Sequence, residues 1–162
     1  MNKIIIGVDP GASGAICKVG YSQKDSIMIH KCPKEIEDRA FVCSDGLRDN
    51  VETVAYIEKV HAMPHDGRSS LFKFGVNYGV WLGILHTNPN VGRIIEVSPQ
   101  KWMRFWENKL GEKLPRVKKD RKNKLKEMAS VFTDRPARLW DADAVLITMY
   151  GFYMEEERDF NV

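Results

Sequence analysis

The chain has 162 residues, of which 43% are hydrophobic and 29% are charged, and its formal net charge is +3. This composition excludes a disordered or collagen-like chain, and the length fits one domain, residues 1–162, better than two. The apolar run that opens the chain is too short for a signal-peptide core or a membrane span, so we expect a cytoplasmic protein with no membrane partner.

Five apolar segments predict β-strands. They are KIIIGVD at 3–9, GAICKVG at 14–20, SIMIHKCP at 26–33, a β-prone run within 51–63 that ends near Glu58, and RIIEVSP at 93–99. Short Gly-rich or polar turns join the first three, which predicts an antiparallel meander. The polar stretch after the third strand receives no element. Cys17, Cys32 and Cys43 lack the spacing of zinc or redox sites, so we expect free buried thiols.

A helix is predicted over residues 69–86 despite its glycines. Gly75, Gly79 and Gly83 recur every four residues and therefore lie on one helix face, where another backbone could approach closely. The residues leave two interpretations open. The glycine face packs within the chain, or it lies at a subunit interface.

Three further helices follow. Ser98 and Pro99 predict a helix start within 97–108, with Trp102, Phe105 and Trp106 in the core. A second helix, roughly 118–132, has an apolar inward stripe, and a last helix starts near residue 140. Residues 113–126 hold eight Lys or Arg and one Asp, so the rest of the chain is net acidic. Such a local basic segment is expected where a protein meets a polyanion. The order of elements predicts an α/β layered domain.

Four acids stand at the edges of segments that must be buried: Asp9, Glu58, Asp141 and Asp143. A lone buried carboxylate is costly unless it is paired or metal-bound, so a shared cation accounts for several of them together. Taken singly, Asp9 could form a turn, Glu58 could pair with a Lys, and Asp141 could cap a helix. Positions two apart on a helix point about 200 degrees apart, so Asp141 and Asp143 cannot both face one ion from regular helix. Asp143, in the first turn, is the stronger candidate.

Oxygen ligands without a His or Cys cluster indicate Mg²⁺ or Mn²⁺ rather than zinc. His61 follows Glu58 by three residues and could approach the same site, although a polar contact or a solvated loop position suits it better. Two hard cations held by carboxylates can activate water and stabilise the leaving oxygen in phosphodiester cleavage. The basic segment matches a phosphate backbone as substrate.

Four motifs in chain order resemble the RuvC-type Holliday-junction resolvases, particularly their bacteriophage branch. They are GVDPGASGAI, YIEKVHAMP with the following SSLFKFGVNYG, VSPQKWM, and DADAVLI. The resemblance implies an RNase H-like fold with a five-stranded mixed sheet flanked by helices. It also implies a homodimer that makes paired nicks in four-way DNA with Mg²⁺ or Mn²⁺, without a small-molecule cofactor, in the cytosol of a bacterium or of a phage-infected host.

The resemblance assigns roles to individual residues. Asp9 and Glu58 match the first two metal ligands, and Asp143 matches the acid of the last helix. The family places another acid where this chain has Trp140, so Asp141 is a displaced candidate for the fourth ligand. Lys101 and either Lys119 or Lys122 are implied near the scissile phosphate. The DNA-binding set expected from these motifs and the basic segment is Lys101, Arg116, Lys118, Lys119, Arg121, Lys122 and Lys124. The glycine face would lie at the dimer interface.

Two other functions remain open from the sequence. The segment VDPGASGA also resembles the phosphate loop of actin-like kinases and ATPases, although those proteins enclose a nucleotide between two such domains. A catalytically silent module that binds branched nucleic acid would need only the basic helix, and it would keep its function after Asp9→Asn.

Overall fold

The computed structural model of the chain describes residues 3–23, 26–59 and 67–161. In this part of the chain, five strands form one mixed sheet in the order β3-β2-β1-β4-β5. The strands β1, β2 and β3 pair antiparallel, whereas β1–β4 and β4–β5 are parallel. The predicted meander and all five predicted strands are confirmed, with bounds β1 Lys3–Val8, β2 Ala15–Gly20, β3 Met28–Lys31, β4 Glu52–Glu58 and β5 Arg93–Val97.

Within these described ranges, five helices cover the two faces of the sheet: α1 Ile36–Ser44, α2 Arg68–Thr87, α3 Pro99–Leu110, α4 Lys118–Ala129 and α5 Ala142–Phe160. The predicted helix over 118–132 ends at Ala129 and continues as a short 3₁₀ turn, Ser130–Phe132. Ser98 caps α3 as predicted, since its hydroxyl accepts a hydrogen bond from the Lys101 N–H. No helix of the described ranges is long and apolar enough to cross a bilayer.

The alternating side chains of β1 divide the core in two. Ile5 faces the layer of α3, α4 and α5, together with buried Trp102 and Trp106. Ile6 and Val8 face the layer of α1 and α2. Because helices cover both faces of the sheet, the central strands are apolar throughout, as is typical of parallel pairing. The three cysteines are free and buried, as predicted.

Helix α5 runs beside β1 along its whole length. At Gly7 the helix comes so close that a Cβ would overlap Thr148 and the Ala144 carbonyl oxygen. At the other end of the strand, the buried Lys3 ammonium donates to Glu155 Oε2 at 3.1 Å and to Asp159 Oδ1 at 2.9 Å. The first strand and the last helix are therefore joined at both ends.

Helix α1 was not expected from the sequence. Its exposed face carries Ile36 and Phe41, whereas its two buried residues are Arg39 and Cys43. This arrangement places apolar side chains in solvent and a charged one inside. It weakens the periodic pattern by which an amphipathic helix is recognised.

The glycine face of α2 is exposed, which contradicts one of its two interpretations given above. Gly75, Gly79 and Gly83 are exposed, and a Cβ built at any of them would meet no atom within 4 Å. The prediction that this face packs within the chain is therefore wrong. Phe72 and Val76 lie on the same helix with 73% and 50% of their surface exposed.

Candidate active site

Asp9 and Glu58 follow from the parallel pairing of β1 with β4. Val8 lies opposite Ile57 in the register, so the two acids stand next to one another where the strands end. Each follows an apolar run that the sheet holds rigidly. The prediction that Glu58 ends the fourth strand is confirmed.

Asp143 reaches the same place from the first turn of α5. The close approach of α5 to β1 at Gly7 brings the start of the helix toward the end of the strand. Residues separated by more than 130 positions in the sequence thus line one cleft of about 440 Å³. The remaining wall includes Phe74 of α2, Trp102 and Met103 of α3, and Leu139.

Both strand-end acids bind protons more tightly than free side chains do. Burial, reinforced by the negative charge of Asp143, raises the pKa of Asp9 to about 6. Burial, reinforced by the charge of Asp9, raises the pKa of Glu58 to about 8. The three carboxylates therefore lie close enough to repel one another in a poorly hydrated cleft, and a bound cation would relieve that repulsion.

Glu58 has a partner that the sequence analysis did not find. The buried Trp102 indole N–H donates a hydrogen bond to Glu58 Oε2 at 2.8 Å. A buried Trp N–H usually needs an acceptor, and that rule was the available signal. The prediction that Trp102 and Trp106 belong to the core is confirmed, and Trp102 also fixes one oxygen of Glu58.

Asp141 does not line the cleft. Its side chain is fully buried, with Oδ2 accepting from Arg135 Nη2 at 2.5 Å and Oδ1 accepting from the Arg138 N–H at 2.6 Å. It occupies the N-cap position of α5 without a hydrogen bond to a helix N–H. Both oxygens close the turn that precedes α5, which argues against the expected roles of Asp141 in catalysis and metal binding.

The basic residues divide into two groups. Lys118, Arg121 and Lys122 lie on the side of α4 that lines the cleft, at spacings of three and four. Lys122 Nζ lies 3.3 Å from Asp143 Oδ2. The other expected DNA ligands do not line the cleft: Lys101, Arg116, Lys119 and Lys124. Lys124 pairs with Glu112 at 2.6 Å.

The donor set suits Mg²⁺ or Mn²⁺, since Asp9, Glu58 and Asp143 offer only carboxylate oxygens. Within residues 3–23, 26–59 and 67–161, however, no group of three or more Asp, Glu, His or Cys side chains is arranged so that it could hold a metal ion. His61 and His65 lie outside the described residues.

The architecture matches a solved structure. The complex of Thermus thermophilus RuvC with a Holliday junction substrate superposes on this chain with a TM-score of 0.57 and 16% sequence identity, covering 94% of this chain and 96% of that one. The chain has the RNase H-like fold. At this identity the likeness shows the fold alone. No protein-family model matches the sequence, and neither does any curated protein.

The RNase H-like fold accounts for the placement of the acids. The antiparallel β3-β2-β1 part and the parallel β1-β4-β5 part meet at β1, and Asp9 follows that strand. The five-stranded mixed sheet and the flanking helices that the resemblance implied are confirmed.

Proposed function

We propose that this protein is a metal-dependent endonuclease that resolves Holliday junctions and related branched DNA by paired nicks. One observation carries the proposal: Asp9, Glu58 and Asp143 come from distant segments of an RNase H-like fold and line one cleft beside three basic side chains. The quoted sequence motifs favour the phage-like branch of the resolvases. The place of action would be the cytoplasm of a bacterium or of an infected host.

Asp9, Glu58 and Asp143 would hold two Mg²⁺ or Mn²⁺ ions once their side chains move together within the cleft. Such ions supply an activated water and stabilise the leaving oxygen of the phosphodiester. Neighbouring groups of the chain orient two of the carboxylates. Trp102 orients one oxygen of Glu58, and the Gly11 N–H donates to Asp9 Oδ1 at 2.9 Å. One oxygen of Glu58 and one oxygen of Asp9 are thereby fixed before any ligand enters.

Lys118, Arg121 and Lys122 would bind the phosphate backbone. They lie on the α4 wall of the cleft, and the Lys122 ammonium is beside Asp143. A phosphate positioned there by Lys122 lies next to the carboxylates. Charge–phosphate contacts fix the register of DNA without reading its sequence.

A homodimer would form through the glycine face of α2. Gly75, Gly79 and Gly83 leave room for a close helix approach, and exposed Phe72 and Val76 add apolar area on the same helix. A two-fold pair of clefts is what symmetric nicks in a four-way junction require.

The direct test is incubation of the purified protein with a synthetic four-way junction and Mg²⁺ or Mn²⁺. We expect paired nicks with either ion and none in chelator. Three-way, flap and duplex DNA run beside it would measure junction selectivity. Intact junctions under both metals would refute the enzymatic proposal.

Asp9→Asn separates the nuclease from a silent binding module. The nuclease loses cleavage and keeps or improves junction binding, because a negative charge leaves the DNA-facing cleft. If the protein were a module that only binds, wild type and Asp9→Asn would bind the junction alike and neither would nick it. Gel shifts in Ca²⁺ measure binding, and nicking in Mn²⁺ measures cleavage.

A further inference from the structure

The turn that carries Asp9 is held from within by few hydrogen bonds. The Asp9 N–H donates to the Ala15 carbonyl at 2.9 Å, and the Gly14 N–H donates to the Gly11 carbonyl at 2.9 Å. Pro10, between them, has no N–H to contribute. The Gly11 N–H of the Pro10–Gly11 peptide donates to Asp9 Oδ1 at 2.9 Å, whereas the carbonyl of that peptide finds its partner outside the turn.

Asn77 of α2 supplies that partner. Its Nδ2 donates to the Pro10 carbonyl at 2.9 Å, and its Oδ1 accepts from Arg39 Nη1 at 2.6 Å. A side-chain amide is needed here, because it donates and accepts at the same time. The guanidinium on its oxygen polarises the amide and strengthens the bond that its nitrogen donates.

Arg39 is itself fixed in place. Only 8% of its surface is exposed, its Nε donates to the Pro33 carbonyl at 2.7 Å, and its guanidinium lies 5.9 Å from the Trp81 ring centroid. The Cys32 N–H, one residue before Pro33, donates to the Gly14 carbonyl at 2.9 Å. The contacts thus form a closed circuit that leaves the turn at Pro10 and returns to it at Gly14.

We propose that Asn77, held by Arg39, is a positioning residue for Asp9. This rests on the proposed function for its catalytic consequence, although the positioning itself concerns only the turn. Asn77 touches neither DNA nor metal in this role; it fixes the Pro10 peptide and so the direction in which the Asp9 carboxylate leaves the strand. An ångström of misplacement at a catalytic group can cost about 100-fold in rate.

Asn77→Asp is the sharpest test. The carboxylate still accepts from Arg39 but can no longer donate to the Pro10 carbonyl. We expect the junction-nicking rate to fall roughly 10- to 100-fold, with a higher Mn²⁺ concentration for half-maximal rate and unchanged junction binding in Ca²⁺. Amide hydrogen exchange at Asp9 and Gly11 should accelerate roughly tenfold, reflecting one lost hydrogen bond.

Asn50→Asp is the matched control, since it adds the same charge at an exposed site at the other end of β4. Arg39→Lys is the second variant and serves if Asn77→Asp does not fold; it keeps the charge but lacks the fork that reaches Asn77 and Pro33 together. We expect it to accelerate the same amides. Unchanged exchange at Asp9 and Gly11 overturns the positioning role. A wild-type protein that fails to nick, with accelerated exchange in the variants, refutes the nuclease and leaves the positioning role supported.

Discussion

Glu58 links the chemistry of the cleft to the stability of the protein. Its pKa is about 8 in the folded chain and near 4.5 for a free side chain, because of burial and the charge of Asp9. The folded state therefore binds this proton more tightly than the unfolded chain does. It follows that the free energy of unfolding falls as pH rises from about 4.5 to about 8. Asp9, with a pKa of about 6, acts in the same direction over a narrower range.

We predict that Glu58→Gln stabilises the metal-free protein at alkaline pH. Gln stays neutral and keeps an oxygen that can accept the Trp102 N–H, so the variant should exceed wild type by about 2 kcal/mol above pH 8 and match it near pH 5. Urea unfolding in chelator at pH 5, 7 and 8.5 measures the difference. The exposed Glu127→Gln is the control. Parallel pH profiles for Glu58→Gln and wild type would contradict the assignment.

Gly14 gives a second prediction at the scale of one residue. A Cβ there would overlap the Asp9 carbonyl oxygen and crowd its carboxylate carbon. Gly14 immediately precedes β2, and a Cβ at Gly20, the far end of β2, meets nothing within 4 Å. We expect Gly14→Ala to lose about 1–3 kcal/mol of unfolding free energy and to nick DNA poorly. Gly20→Ala should stay near wild type in both. Equal stability of the two variants in thermal unfolding would show that the turn can relax.

At the scale of the element, α4 divides its charges between two surfaces. Lys118 lines the cleft, while its neighbour Lys119 does not. We expect Lys118→Ala to lower the slope of log binding constant against log salt by about one unit, because one phosphate contact and its released counterion are lost. Lys119→Ala, the same change one position along, should lower it less. Equal slopes would place the DNA path across the outer face of α4.

The sequence predicts those elements whose capping residues and apolar pattern lie within the segment itself. Ser98 and Pro99 indicate the start of α3. The apolar runs of β1 and β4 indicate strands that are buried on both faces. Helix α1 was not predicted because one of its buried residues, Arg39, is charged. The hydrogen-bond partners of Arg39 include Pro33 and Asn77. Those contacts form only in the folded protein, so no local sequence pattern could predict them.

At the scale of the whole molecule, the proposed dimer depends on an unobstructed glycine face. We predict that Gly79→Arg leaves the monomer folded, since the site is open, and weakens self-association through bulk and charge. Asn50→Arg is the charge-matched control. Sedimentation equilibrium measures the dissociation constant, and nicking of a junction in a supercoiled plasmid shows whether the two cuts remain paired. Unchanged association would exclude this face.

The candidate site was predictable where a motif fixes both a residue and its element. Asp9, Glu58 and Asp143 lie together as their positions at strand and helix ends suggested. Asp141 differs because both of its oxygens are taken by Arg135 and the Arg138 N–H, contacts made within a turn that has no regular pattern. The Trp102 and Asn77 contacts join separate elements, and only the tertiary structure brings them into reach.

The contacts of α5 with β1 at both Gly7 and Lys3 have a consequence for when the cleft can form. Asp9 is made early during synthesis and Asp143 late, and neither can complete the cleft without the other. A growing chain on the ribosome therefore cannot complete the cleft until its last helix has docked. A truncated copy that lacks α5 would keep Asp9 and Glu58 but would have no cleft, and the proposed nuclease would be inactive in it.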